Sequence, residues 1–266
     1  MGIVQGLTEF LPVSSSGHLI LVPFLFGWDD AFLNSLPFSV MLHVGTLVAL
    51  LAYFREDWAR LVPAGLAALR DRSFRGDADR RLAWLLAAST IPAALVGALF
   101  DDVIEDQFRQ VGLVALMLVV GGVILFVADR VGRRSRAIAD VTFPVAIGIG
   151  AAQALALIPG ISRSGISISA GRLAGLDREA AARFAFLMAT PITAGAVVFE
   201  ARKLVTGEAG VEVAVAPLVV GMLAALLSGL AAIHFTLRYL RTRSLDVFIL
   251  YRFALAAVVL VIWLAR

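Results

Sequence analysis

The chain has no cysteine, which removes disulfide frameworks, thiolate metal sites and cysteine nucleophiles together. Charge is scarce as well: 16% of the 266 residues are Asp, Glu, Lys or Arg, against about 25% in an average soluble domain. Lysine is nearly missing, Lys203 being the only one among 23 basic residues, a usage that points to a GC-rich genome and to no particular function. What fills the chain instead is apolar: 60% hydrophobic residues and a mean hydropathy of +0.91. Too little polar surface is left to clothe a water-soluble globule, so the chain reads as integral to a membrane. Short alternating segments of the kind that build outer-membrane barrels are absent, and the apolar runs are unbroken. The net charge of +3 does not point to nucleic acid, because the arginines sit in loops between those runs.

Six stretches reach the roughly 17–25 residues needed to cross a bilayer as a helix: residues 38–54, 82–100, 111–129, 181–200, 214–235 and 247–265. Two more, residues 2–28 and 142–176, are interrupted by "FLPVSSSGH" and "IPGISRSGIS". Broken backbone at membrane depth is tolerated only inside protein or beside a wet cavity, so both are read as re-entrant helical hairpins. Arg55, Arg60, Arg70, Arg72, Arg75, Arg80 and Arg81 follow the first span, which makes that loop cytoplasmic. The acidic stretch "DDVIEDQFRQ" suits the outside. Arg130, Arg133, Arg134 and Arg136, and later Arg238, Arg241 and Arg243, return to the cytoplasm, while Arg202, Lys203 and Arg266 form an external minority. The N-terminal stretch lacks the basic start of a cleavable signal, and "REDWARLVPAGLAALRDR" reads as an amphipathic interfacial helix.

Sliding the sequence by 148 residues lays Gly2, Gln5, Leu7, Ser14, Ser16 and Gly17 on Gly150, Gln153, Leu155, Ser162, Ser164 and Gly165. Three spans follow each broken stretch, and three is odd, so the second copy lies inverted. The expected fold is a single all-α membrane domain over residues 1–266, with six transmembrane helices and two re-entrant hairpins. Repeat 1 covers about 1–130 and repeat 2 about 141–266. Inverted repeats with discontinuous helices place their site near the midplane, where the breaks meet.

In the first break Gln5 and Glu9 share a helix face, and a carboxylate inside an apolar helix is expensive enough to be functional or paired. Ser14, Ser15 and Ser16 stand where a half-helix begins, with His18 one turn on. Free N–H groups and the positive end of the helix dipole there form an anion site. Capping alone would also explain the serines, and packing alone would explain His18. The second break carries Arg163 among Ser162, Ser164 and Ser167. Its planar guanidinium matches phosphate oxygens, although a structural ion pair with Glu9 is the plainer alternative. Together these residues describe a phosphate-handling site in one polar cavity. His43 and His234 are expected to be packed or bonded to backbone carbonyls, and Glu200 to be interfacial.

"VQGLTEFLPVSSSGHLIL" and "PGISRSGISIS" closely resemble the two signatures of the bacterial undecaprenyl-diphosphate phosphatase family, known also for bacitracin resistance. "FSVMLHVGTLVALLAYF" and "AARFAFLMATPITAGA" extend the resemblance over nearly the whole chain. It implies a hydrolase of the bacterial inner (plasma) membrane, its site facing outward. Such an enzyme converts the polyprenyl diphosphate to undecaprenyl phosphate, the lipid carrier of cell-wall precursors. Carried over, Gln5 and Glu9 are the paired acidic positions, Ser15 and His18 the active-site serine and histidine, and Arg163 the phosphate-binding arginine. Ser162, Ser164 and Ser167 are the surrounding hydroxyls, Ser167 replacing the family's usual Thr. Gln5 stands where Glu is commoner, so Glu9 alone is left to act as acid or charged ligand. The family also carries further apolar sequence ahead of this motif, about a turn or more at 3.6 residues per turn.

His18 is the expected nucleophile, with Ser15 the alternative. A divalent cation, Mg²⁺ or Ca²⁺ anchored by Glu9 and the Gln5 carbonyl oxygen, is expected to offset the roughly three negative charges of a lipid diphosphate. The competing reading is a secondary transporter or lipid flippase, since this architecture serves transport too. An activated nucleophile beside a general acid is what separates the two.

Overall fold

A computed structural model describes residues 1–73, 77–132, 136–206 and 214–266. Arg75, Arg133, Arg134 and the side chain of Lys203 lie outside the described residues. Within them the regular elements are helices, as in an all-α membrane protein. In order come α1 (Gly2–Phe10), α2 (Ser15–Phe26), α3 (Leu36–Tyr53), α4 (Arg55–Asp71), α5 (Ala78–Phe108) and α6 (Val111–Val131). The second part holds α7 (Phe143–Gln153), α8 (Arg163–Leu173), α9 (Arg178–Thr206), α10 (Val215–Leu240) and α11 (Asp246–Ala265).

Among the described residues five helices are long and apolar enough to cross a membrane: Ala78–Phe100, Val111–Val131, Arg178–Arg202, Val215–Leu240 and Asp246–Ala265. A sixth arises if α3 is taken with α4, but the two are bent by 83° where they meet. Beyond the bend α4 has the expected amphipathic character, burying Leu61 and Ala68 and leaving Val62, Leu66 and Leu69 exposed. The acidic stretch after Phe100, read from sequence as a loop, instead continues α5 to Phe108 past a non-helical Phe100 (φ −127°, ψ 16°).

Close backbone contact explains two glycines of the matched stretches. α1 packs along α10 and α7 along α5. A Cβ at Gly2 would strike the backbone of Gly221, and one at Gly150 the backbone of Ser89. The apolar core lies between these pairs and α9, with Phe10 edge-on to Phe186 (5.5 Å, 81°) and Phe54, Leu61, Leu86 and Phe184 fully buried around them. Outward faces are apolar as well: Leu99, Val198, Leu227 and Leu264 are at least two-thirds exposed, which suits a hydrocarbon surround.

Ion pairs gather the helix ends at one end of the bundle. Asp57 of α4 holds Arg183 of α9, and Asp79 of α5 holds Arg60. Asp129 of α6 holds Arg172 and Arg178, while Arg130 pairs with Asp246 and Arg241 with Glu179. Three of these arginines, Arg60, Arg130 and Arg241, belong to the segments that the positive-inside pattern assigned to one side. Asp129 is buried, and Arg178 grips both its oxygens at 2.7 and 2.8 Å, so here the charges are fastened to the protein.

Candidate active site

The two interruptions have the same local geometry. At the first, Ser14 sits at φ 77°, ψ 94°, and its hydroxyl oxygen accepts from the amide of Gly17 at 3.3 Å as α2 begins. At the second, Ser162 sits at φ 81°, ψ 117°, and accepts from Gly165 at 3.1 Å as α8 begins. Positive φ is costly for any residue with a Cβ, so both serines are held in place by what surrounds them. Ser14 also accepts the amide of Gly160 at 3.1 Å, and Ser164 donates to the carbonyl of Leu11 at 3.1 Å. Gly160 itself lies at φ 103°, wedged against Val114 and Met117, where a side chain has neither the conformation nor the room.

Arg252, in the last helix, locks the breaks together. It is fully buried and donates to the carbonyls of Pro12 (3.2 Å), Gly160 (2.7 Å), Ile161 (3.1 Å) and Leu118 (3.0 Å). Breaking a helix leaves carbonyls without intrahelical partners, and one guanidinium with five N–H groups satisfies those of both breaks at once.

Between the breaks lies a cavity of about 190 Å³ lined by Ser15, Ser16, Val40, His43, Gln153, Leu157, Arg163 and Thr193, with Ala93, Ala156, Ile192 and Ala196 at its apolar side. A single water needs roughly 10–15 Å³ of such space, so a phosphoryl group and several waters fit. Glu9 is buried behind this lining, in contact with three of its residues, Ser15, His43 and Arg163. One carboxylate oxygen pairs with Arg163. The other accepts from Ser15 at 2.5 Å and Gln5 at 3.0 Å and lies 3.4 Å from Nε2 of His43. The His43 Nδ1 faces the Ser39 carbonyl at 2.9 Å, so the ring bridges that carbonyl and the Glu9 carboxylate. Arg163 is steadied by Thr193, which accepts from it at 2.6 Å.

Residues 1–258 match the family described as bacitracin resistance protein BacA. The chain belongs to that family. Among its curated relatives is a protein of Desulforudis audaxviator, 44% identical over 266 residues that span 100% of this chain and 97% of the relative. Another, from Moorella thermoacetica, is 46% identical over 267 residues, again 100% and 97% of the two chains. A third, from Nocardioides, is 45% identical over 262 residues, 98% and 94%. All three carry the name undecaprenyl-diphosphatase.

The predicted residues divide in two on this geometry. Ser15, Ser16 and Arg163 line the cavity, and Glu9, with Gln5 bonded to it, is held behind them by Ser15 and Arg163. Ser14 is a buried helix cap, as the plainer reading of the first break had it, Ser162 caps α8 in the same way, and the plainer Glu9–Arg163 ion pair is present too. Ser164 ties the breaks together, and Ser167 is buried with its hydroxyl lacking a hydrogen-bond partner. His18 does not line the cavity. Its Nδ1 lies 2.6 Å from the Ser14 carbonyl, its Nε2 2.7 Å from the Tyr251 hydroxyl, and its ring stacks on Tyr251 at 5.6 Å. Both nitrogens are thereby turned toward α2 and α11. Glu200, expected at the interface, is buried at 4% exposure.

His43, Gln153, Thr193 and Arg252 also join this region, although none of them is among the site residues expected from sequence. Arg252 carried a visible signal, a charge in the middle of an apolar span. Gln153 was already aligned with Gln5 by the repeat. His43 was assigned only the carbonyl contact that it does make, and Thr193, one hydroxyl in a long apolar helix, carried no signal.

Proposed function

We propose that this protein removes the terminal phosphate of a membrane-embedded polyprenyl diphosphate, undecaprenyl diphosphate in the naming of its relatives, and returns the lipid monophosphate for cell-wall synthesis. The observation that carries the reading is the Ser15 hydroxyl held on the Glu9 carboxylate, with Arg163 on the other oxygen, facing a cavity between two helix starts. Phosphate release from the lipid diphosphate by the purified protein in detergent, with no gradient across a membrane, tests it. Transport without hydrolysis would overturn it.

The chemistry follows from this placement. Before substrate enters, Arg163 neutralises Glu9 and makes it a poor base. A diphosphate competes for the guanidinium, whose planar fork takes two phosphate oxygens. Freed of that pairing, Glu9 accepts the Ser15 proton as the Ser15 oxygen bonds to the terminal phosphorus and the bond to the bridging oxygen breaks. The lipid leaves as its monophosphate, an anion that needs no added proton. Water then attacks the phosphoserine, releasing inorganic phosphate and restoring the Ser15 hydroxyl. Free N–H groups at the starts of α2 and α8 support the negative charge at the reacting centre. In this reading Ser15 is the nucleophile. His18 is a positioning residue that fixes the first turn of α2 through Ser14.

A resident divalent cation fits these residues poorly. Glu9 is already met by Gln5, Ser15, His43 and Arg163, and no group of three or more His, Asp or Glu stands together among the described residues. Mg²⁺ is commonly held by few protein oxygens plus substrate phosphates, and we assign the cation to the diphosphate as its counter-ion.

The architecture we propose is an inverted repeat, residues 1–130 and 141–266, with α1–α2 and α7–α8 as re-entrant hairpins and α3, α5, α6, α9, α10 and α11 as six spans. The matching breaks and the crossed packing of α1 on α10 and α7 on α5 support it. The arginine-rich end faces the cytoplasm of the inner membrane, and the cavity opens outward.

A further inference from the structure

Gln153 is the last residue of α7 and lines the cavity together with Ser15 and Arg163. It is 2% exposed, yet neither its Oε1 nor its Nε2 has a hydrogen-bond partner. A buried amide with both ends unsatisfied is costly, and an aliphatic residue would fill the same space without that cost. No protein group completes its bonds, and the space beside it is the cavity.

The repeat makes the point sharper. The 148-residue shift lays Gln153 on Gln5, and Gln5 gives its Nε2 to Glu9 one turn later at 3.0 Å. In the second copy the residue one turn after Gln153 is Leu157, which also lines the cavity. The amide is thus kept while its carboxylate is replaced by a hydrocarbon, leaving the amide without a partner beside the cavity that Gln153 lines.

We infer that Gln153 is a substrate-contacting residue, its Nε2 donating to an oxygen of the terminal phosphoryl group and its Oε1 accepting from the water that completes hydrolysis. A neutral amide supplies N–H donors at one end and an acceptor oxygen at the other, the two kinds of group these neighbours require. A carboxylate there would repel the phosphate and compete for Arg163. A glutamine orients the attacking water in the same way in phosphoryl transfer by GTPases. The inference rests on the phosphatase reading above, and no atoms beyond water and the lipid diphosphate enter the step.

The test uses the full-length protein in detergent with polyprenyl diphosphate, comparing wild type, Gln153→Leu and the near-isosteric Gln153→Glu. Turnover by Gln153→Leu should fall about tenfold to a hundredfold, the loss expected for a hydrogen bond to a charged group. Its thermal unfolding temperature should stay level or rise, because an unsatisfied amide has been removed. Phosphorylated Ser15 should accumulate in that variant, detectable by intact-protein mass, because the water step is slowed. Gln153→Glu should lose more than Gln153→Leu. Wild-type kinetics in Gln153→Leu would overturn the inference. So would a fall in unfolding temperature in both variants, which would make the amide structural. Absence of phosphate release by the wild type would instead overturn the phosphatase reading itself.

Discussion

The Ser14 hydroxyl oxygen accepts the amide proton of Gly160 at 3.1 Å, joining two helix breaks that lie 146 residues apart in the chain. Each break alone would leave exposed backbone in an apolar surround, where unsatisfied groups cost several kcal/mol each by hydrocarbon transfer. Meeting at one point, they satisfy one another and leave a small polar cavity whose walls come from both.

Arg252 is expected to be the residue on which this meeting depends. Arg252→Met strips a charged donor from the carbonyls of Pro12, Gly160 and Ile161 and should destabilise the protein by at least about 3 kcal/mol, two or more charged hydrogen bonds at about 1.5–3 kcal/mol each. Thermal unfolding in detergent measures it. An unchanged midpoint would remove Arg252 from this role.

Ser15 and His18 separate by experiment. Ser15→Ala should lower turnover by about a thousandfold or more, as loss of a nucleophile does, and abolish any trapped phosphoenzyme. His18→Ala should retain the ability to form phosphoserine, though at a reduced rate. A phosphohistidine that disappears in His18→Ala would reverse the assignment.

Arg163→Lys should lose about a hundredfold or more in turnover, on the scale of removing one preorganised charge-stabilising donor. The point charge survives but the planar fork does not, and Lys cannot hold both Thr193 and a phosphate in the same geometry. Steady-state kinetics on the lipid diphosphate decide it, near wild-type turnover being the contrary result.

The orientation is testable in intact cells. With no native cysteine, a cysteine introduced at Ser16, which lines the cavity, reports without background. It should react with an impermeant thiol reagent added outside. Labelling only after the membrane is opened would place the mouth on the cytoplasmic side.

Removing divalent ions with a chelator should slow hydrolysis, and Mg²⁺ or Ca²⁺ should restore it. Since the cation is assigned to the substrate, equilibrium dialysis of the lipid-free protein should find no tight site, and Gln5→Ala should shift the half-activating concentration by less than about threefold, under 1 kcal/mol. Stoichiometric binding without lipid would reinstate a site at Glu9.

The sequence by itself determined the solvent, the helical class and the location of the breaks. Those follow from local chemistry: long apolar runs need hydrocarbon, and Pro, Gly and Ser clusters interrupt helices wherever they fall. It also brought Glu9, Ser15 and Arg163 forward, because charged and hydroxylic groups are conspicuous in an apolar chain. Tertiary structure decided which way each side chain turns. His18 and Ser15 are three residues apart on one helix, and only the positions of Tyr251 and Glu9 on other helices send one behind the site and the other into it. His43, Gln153, Thr193 and Arg252 join the site from four further helices. Their roles depend on packing between segments far apart in sequence, which no local pattern of residues records.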